Sequence, residues 1–182
     1  MPDSLLGLFE EHANRTVLAR HRLRAKLERN RTGSWIILVF PKKHDSGFDI
    51  KLVCEKKRIY PFAGPYYDGV WEAGDDKTSE EVCMEAFGLV RMMLSTDAQL
   101  RITYRHNSIC CAQLELRHKD GWRVFGVNKR VVLPIGKTAW RVFQNDVLHG
   151  RHPYDGMRAA DEAIYYWEQP SPPAPLPGGE GR

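Results

Sequence analysis

Residues 78–94 read TSEEVCMEAFGLVRMML, the clearest helix pattern in the chain. Thr78 and Glu81 have the spacing of a capping box, in which a hydroxyl and a carboxylate accept hydrogen bonds from the free N–H groups of the first turn. Apolar residues then recur at spacings of three and four and leave few positions facing outward. Because a helix this apolar must be covered on most of its sides, we expect it to lie buried across one face of a sheet.

Strand patterns stand on both sides of this helix. Before it, turn residues join the apolar run 35–40 to the alternating run 48–55, which predicts a β-hairpin whose first strand is covered on both faces. After it, runs at 99–105, 112–117, 122–127 and 130–135 predict a meander of three or four strands. We therefore expect an α+β fold whose antiparallel sheet is made of the hairpin and the meander.

The register of the hairpin at 112–127 depends on its turn. A three-residue loop of Lys119, Asp120 and Gly121 would place Trp122 on the inner face of the sheet. A two-residue turn of Asp120 and Gly121 would place Phe125 there instead. A slip of one residue turns every side chain to the other face, so one of these two rings is predicted to lie outside. The pattern alone does not choose between them.

Three regions are predicted along the chain. Residues 1–32 are expected to form a basic N-terminal helix, because one weakly apolar seam runs from Leu5 to Leu27 at helical spacing. Residues 33–168 are expected to be a single α+β domain. Residues 169–182 hold five prolines and three glycines, a composition typical of a disordered tail.

Composition limits the class of protein. With 182 residues, 42% of them hydrophobic, the chain has enough apolar material for a core. Its longest uncharged apolar stretch, residues 32–41, is well short of the ~18 residues needed to cross a bilayer. The segment that begins at Met1 lacks the basic residues followed by an apolar run that mark a secretory signal. We therefore expect a cytoplasmic protein with no membrane association. The four cysteines lack the paired spacing of a zinc site, so we expect free thiols, no metal and no cofactor.

No set of catalytic residues is complete in the sequence. The run Gly136-Lys137-Thr138 lacks the earlier glycine of a phosphate-binding loop. Asp49, followed by Glu55 and two lysines, has the residue types of a metal-dependent nuclease, but that chemistry needs carboxylates that converge on Mg²⁺. We expect no enzymatic activity, and a nuclease-like enzyme is kept as the second alternative.

Basic residues give the first alternative, a nucleic-acid-binding protein. Seven lysines and arginines lie between residues 13 and 31, where they could follow a phosphate backbone. The outer face of the meander adds arginines beside an aromatic ring, a combination found in proteins that bind single-stranded RNA. The candidate residues are Arg20, Arg22, Arg24, Lys26, Arg101, Arg105 and Arg117.

The leading hypothesis is a non-catalytic protein-binding module, by an analogy of architecture with small bacterial inhibitor and immunity proteins. Residues 60–76 contain five aromatic side chains but no period, as in a long functional loop. Two adjacent tyrosines are predicted to be exposed at a turn, among acids that would attract a cationic protein partner. The predicted partner-binding residues are Tyr66, Tyr67, Asp68, Glu72, Asp75 and Asp76.

Overall fold

The computed structural model describes residues 4–20, 23–67, 69–105, 108–129 and 138–148. These residues form two α-helices and ten strands, and the strands make two antiparallel sheets. The α+β class with antiparallel strands, predicted from the sequence, is confirmed. No helix in these ranges is long and apolar enough to cross a membrane.

The first sheet has six strands in the order β1-β2-β3-β4-β5, and β6 also pairs with β4. The strand bounds are β1 (Lys26–Arg29), β2 (Trp35–Phe40), β3 (Ile50–Glu55), β4 (Arg58–Ala63), β5 (Tyr66–Tyr67) and β6 (Trp71–Glu72). The predicted hairpin is confirmed as the pair β2 and β3. Its first strand alternates between buried and half-buried side chains, so in the described part of the chain one of its faces is covered fully and the other in part.

The second sheet has four strands in the order β10-β7-β8-β9. The strand bounds are β7 (Ala98–Arg105), β8 (Ser108–His118), β9 (Gly121–Lys129) and β10 (Thr138–Gln144). The predicted meander therefore forms, but in a sheet separate from that of the hairpin. Its predicted fourth strand at 130–135 lies outside the described residues, and β10 takes the fourth place by pairing with β7.

Helix α2 (Ser79–Met93) lies where the two sheets meet. Its capping box forms as predicted, with the Thr78 hydroxyl accepting from the Glu81 N–H and the Glu81 carboxylate accepting from the Thr78 N–H at 2.8 Å. The helix contacts β3, β4 and β6 of the first sheet and β7 of the second. A single cluster of buried apolar side chains therefore joins both sheets.

Asn145 fastens the end of β10 to the rest of the molecule. Its side chain is 1% exposed. Its Oδ1 accepts from the backbone N–H of Phe48 at 3.1 Å, and its Nδ2 donates to the carbonyls of Phe48 and Met93 at 3.1 and 2.9 Å. A Cβ on Gly47 would stand 2.6 Å from that Oδ1, so glycine is the residue that leaves room for the side chain. Three segments distant in sequence thus meet at one amide.

The basic N-terminal helix is shorter than predicted. Helix α1 (Leu5–His12) continues only as a π-helical turn to Leu18, and residues 26–29 form the edge strand β1 instead. The Thr16 hydroxyl donates to the carbonyl of His12 at 2.6 Å, a bond typical of bent helices. Pairing with β1 also provides hydrogen-bond partners for the outer backbone groups of β2. The stability gained from these hydrogen bonds exceeds the weak helical preference of residues 26–29.

Residues 58–76 are not one long loop. They contain β4, β5 and β6. The side chains of residues 58–63 alternate between outward and inward, as expected for a strand, and Pro61 is part of that strand. Pro61 lies between the positions of β4 that pair with β5 and those that pair with β6. A proline is tolerated there because no strand on that side needs its missing N–H.

The hairpin of β8 and β9 follows neither predicted register. His118 pairs with Gly121, so the loop consists of Lys119 and Asp120. A β-bulge then inserts one extra residue, Phe125, between the partners of Leu114 and Glu115. Trp122 lies on the outer face of the sheet, and Trp122 and Phe125 are 39% and 41% exposed. The bulge changes the alternation in mid-strand, which neither simple turn anticipated.

Candidate functional site

The predicted partner-binding residues do not form one exposed cluster. Tyr66 is 1% exposed and belongs to the core, so its predicted exposure is wrong. Tyr67 is 43% exposed and its ring stacks on Phe62 with centroids 4.7 Å apart. Two adjacent tyrosines can be accommodated because they sit in a strand, where neighbouring side chains point to opposite faces.

The acids around these tyrosines differ in their surroundings. Glu72 forms an ion pair with Arg58, the residue opposite it on β4, at 3.1 Å. Asp75 and Asp76 are exposed in the turn before α2. Asp68 lies outside the described residues. The negative charge predicted to attract a cationic partner is therefore partly compensated within the fold.

The basic residues near the N-terminus are spread over several elements rather than along one helix. The Arg20 Nε donates to the carbonyl of Thr16 at 3.0 Å. Arg24 has a φ of 50°, in the left-handed region, and Lys26 begins β1. Arg22 lies outside the described residues. A single basic helix face, on which the nucleic-acid alternative depended, is not present in this part of the chain.

The basic residues of the meander do share the outer face of the second sheet. Arg101 and Arg105 alternate with the buried Ile102 on β7, and Arg117 is opposite Trp122 on β8 and β9. Arg105 and Arg117 are far apart on this face, however, because Arg105 pairs with Ser108, nine positions from Arg117 on β8. At ~3.3 Å per residue this separation is about 30 Å.

The residues of the nuclease-like alternative do not converge. Asp49 precedes β3 and accepts a hydrogen bond from the Lys42 N–H at 2.8 Å, whereas Glu55 ends the same strand. Six positions of extended chain place them about 20 Å apart. The described residues contain no group of three or more metal-ligating side chains that could hold an ion.

Two cysteines have buried, unreactive thiols. Cys54 and Cys83 are free, as predicted for the four cysteines, and both are buried. Burial raises the pKa of Cys83 to about 12 and raises the pKa of Cys54 as well. Both stay protonated at neutral pH, and a protonated thiol is a weak nucleophile and a poor metal ligand.

The outer face of the second sheet exposes large apolar side chains, of which the sequence predicted only one ring, either Trp122 or Phe125. Register places Trp140 and Val142 of β10 beside Thr103 and Arg101, and it places Trp122 and Val124 of β9 beside Arg117 and Glu115. Trp140 is 63% exposed. We call this surface the tryptophan face, defined by Trp122, Val124, Trp140 and Val142. It has an apolar margin on each outer strand of the sheet.

A polar strip separates the two margins of the tryptophan face. The Glu115 carboxylate, 5% exposed, receives a hydrogen bond from the Gln99 amide at 2.5 Å. The Arg101 Nε lies 2.9 Å from its other oxygen. The same guanidinium lies over the Trp140 ring, 5.3 Å from the centroid. One chain of contacts thus runs from the middle of the sheet to the exposed ring.

The sequence carries one signal for the β10 margin of this surface. Residues 138–143 read TAWRVF, a run of β-branched and aromatic residues typical of a strand. The preceding Gly136-Lys137 pair has the residue types of a phosphate-binding loop instead. Exposure of Trp140 could not be derived, because it depends on β10 taking the edge of the sheet.

Comparisons with protein-family models, with curated proteins and with solved structures found no match for this chain.

Proposed function

We propose that this chain is a protein-binding module and that the tryptophan face is its binding surface. The observation that carries the proposal is the exposure of Trp140 on an ordered sheet face. Protein interfaces concentrate their binding energy in a few tryptophan, tyrosine and arginine side chains. Apolar side chains gathered on one face, rather than scattered singly, are typical of such interaction sites.

The polar strip supports the proposal by fixing the position of Trp140. The ring lies on Arg101, whose guanidinium is paired with the buried carboxylate of Glu115. A side chain already held in one conformation loses little entropy when a partner covers it. The outer face therefore offers a preformed anchor rather than a mobile ring.

The acidic segment 66–76 supports protein binding less well. Of its predicted residues, Tyr66 is in the core and Glu72 is paired with Arg58. The hypothesis of an inhibitor or immunity-type protein for a cationic partner now depends on Tyr67, Asp75 and Asp76, and on Asp68 outside the described residues. It stays a prediction, and the experiment below includes a variant for it.

Nucleic-acid binding stays the alternative outcome, because tryptophan and arginine side chains also stack on unpaired bases. Two arginines of the second sheet have carboxylate partners, however: Arg101 is paired with Glu115, and Arg123 lies 3.2 Å from Asp120. Each such pair reduces the positive charge available to phosphates.

The test compares one variant on each of the two candidate surfaces. Trp122→Ala with Trp140→Ala removes both anchors of the tryptophan face, and Tyr67→Ala removes the exposed ring of the acidic segment. Proteins retained by the wild-type chain from an extract of its source organism are identified and produced in pure form. Their affinity for each variant is then measured by calorimetry, after urea unfolding has confirmed that the variants are folded.

We expect the double variant to lose about 1,000-fold in affinity, since two interface hot spots of ~2 kcal/mol each sum to ~4 kcal/mol. Tyr67→Ala should change affinity by less than about threefold. The opposite pattern would move the binding surface to the acidic segment. Retention of nucleic acid alone, released at high salt, would replace the proposal with the alternative.

A further inference from the structure

Three of the four sheet edges carry features that discourage the addition of another strand. β1 has only four residues, and three of them are charged. On the other side of the first sheet, β5 and β6 have two residues each. β9 is interrupted by the bulge at Phe125, and its Asn128 donates to the Tyr67 carbonyl of β5 at 2.9 Å. Short length, charge and bulges are the usual means of protecting an edge.

β10 has none of these features. Its seven residues contain no proline or glycine and a single charge, on Arg141. It pairs with β7 over its whole length without a register shift. Within the described ranges, no strand pairs with its other side.

Among the described residues, the backbone groups of Thr138, Trp140 and Val142 point away from β7 and pair with no other strand. Gln144 donates its N–H to the carbonyl of Ser46 at 2.8 Å, so its backbone points away from β7. Backbone direction alternates along an antiparallel strand, and positions 142 and 140 therefore point the same way as position 144. The contact with Ser46 covers only the last residue of the edge.

The side chains of these two residues form the β10 margin of the tryptophan face. A strand that hydrogen-bonds to Trp140 and Val142 would therefore also place its own side chains against both of theirs. Backbone pairing and apolar contact coincide at the same two positions. This is the arrangement used when an extended peptide adds a strand to a sheet.

We propose that the protein partner presents an extended acidic segment, which adds to β10 as a fifth strand of the second sheet. This inference rests on the proposed function and specifies how the partner docks. The segment would run antiparallel or parallel to β10 and exchange hydrogen bonds with Trp140 and Val142. Its apolar side chains would cover the exposed ring of Trp140.

Charge selects an acidic segment over a second copy of this chain. The described residues of β7 to β10 and their turns include seven arginines and lysines and two acids, a net charge of +5. The basic residues are Arg101, Arg105, Arg117, Lys119, Arg123, Lys129 and Arg141. Pairing two such sheets edge to edge would bring like charges together, whereas an acidic strand would be attracted.

Two variants at position 142 separate the contribution of the backbone N–H to binding from that of the side chain. Val142→Pro removes an N–H that points away from β7, so the existing ladder keeps its hydrogen bonds while the edge loses a donor. Val142→Thr removes similar apolar contact but keeps the N–H. If the proline variant loses more affinity than the threonine variant, the additional loss measures the hydrogen bond from the Val142 N–H to an added strand.

The first measurement is amide hydrogen exchange of the full chain, followed residue by residue by NMR. We expect the amides of Trp140 and Val142 to exchange at least about tenfold faster than those of Arg141 and Phe143, which point toward β7. Slow exchange at Trp140 and Val142 in dilute protein would mean that the chain covers its own edge. Slow exchange only in concentrated protein would mean that a second copy does. Either result overturns the proposal.

The second measurement uses a displayed library of random linear dodecapeptides as the probe. We expect selected peptides to alternate Asp or Glu with apolar residues and to slow exchange at Trp140 and Val142. Val142→Pro should weaken them about fivefold more than Val142→Thr, the loss expected for one interstrand hydrogen bond. Equal weakening by both variants, or selection of basic peptides, overturns the proposal. If the tryptophan-face variants still lose the natural partner in that case, the proposed function stands with side-chain docking alone.

Discussion

Replacing Asn145 with alanine tests whether one buried amide holds β10 in place. The substitution removes three hydrogen bonds and leaves the Phe48 N–H and the carbonyls of Phe48 and Met93 without this partner. At ~1 kcal/mol for each bond, the free energy of unfolding should fall by about 3 kcal/mol. Domains of this kind are stable by only ~5–15 kcal/mol, so the loss is a large fraction of the total.

Urea unfolding followed by tryptophan fluorescence measures this loss. With a slope of ~2 kcal/mol per molar urea, the midpoint should fall by about 1.5 M. Asn14→Ala is the matched control, because Asn14 is exposed on the π-helical turn and its loss should change stability by less than ~0.5 kcal/mol. A midpoint shift below about 0.5 M for Asn145→Ala would show that the amide does not fasten the strand.

Further predictions concern other positions in the fold. Gly47→Ala should destabilise by ~1–3 kcal/mol in the same urea assay, because its Cβ would displace the Asn145 amide. Burial against Phe87 lowers the pKa of His12 to about 4, so the unfolded chain takes up a proton near pH 6.5 before the folded chain does. Stability should therefore fall as the pH drops from about 6.5 to about 4, and His12→Gln should remove that part of the pH dependence. Thr78→Ala should cost ~1 kcal/mol through loss of the capping box, as thermal melting would record. Replacing Arg20, Arg24 and Lys26 with Gln should leave the salt dependence of any nucleic-acid retention unchanged, and a slope that falls by ~0.9 per lost contact would contradict this.

Local patterns predicted the elements that neighbouring residues specify. The capping box and apolar stripe of α2 gave its start and its burial, and the alternation after Phe48 gave the central hairpin. The strand at 26–29 was missed because its stability comes from the edge of β2, a partner that no local pattern contains. Tertiary pairing overrode a weak helical seam.

The candidate site was harder to predict because its features depend on register. The two-residue loop of Lys119 and Asp120 places Trp122 and Val124 on the outer face, and the pattern of the sequence does not distinguish this loop from the two other turns. Tyr66 was predicted to be exposed but is buried. It and Tyr67 form a short strand rather than a turn, and the Tyr66 ring lies in the core. Exposure is a property of the assembled sheets rather than of either segment.

The contact of Asn145 with Phe48 spans 97 positions of the chain, so during synthesis from the N-terminus Phe48 is made long before Asn145. A ribosome adding ~5–20 residues per second needs about 5–20 s to travel that distance. During this interval α2 and most of the second sheet can emerge, while the edge of β7 has no partner and the amide that closes the core has not yet been made. The nascent chain is therefore most exposed to aggregation just before β10 emerges, and this is the stage at which a chaperone would protect it most.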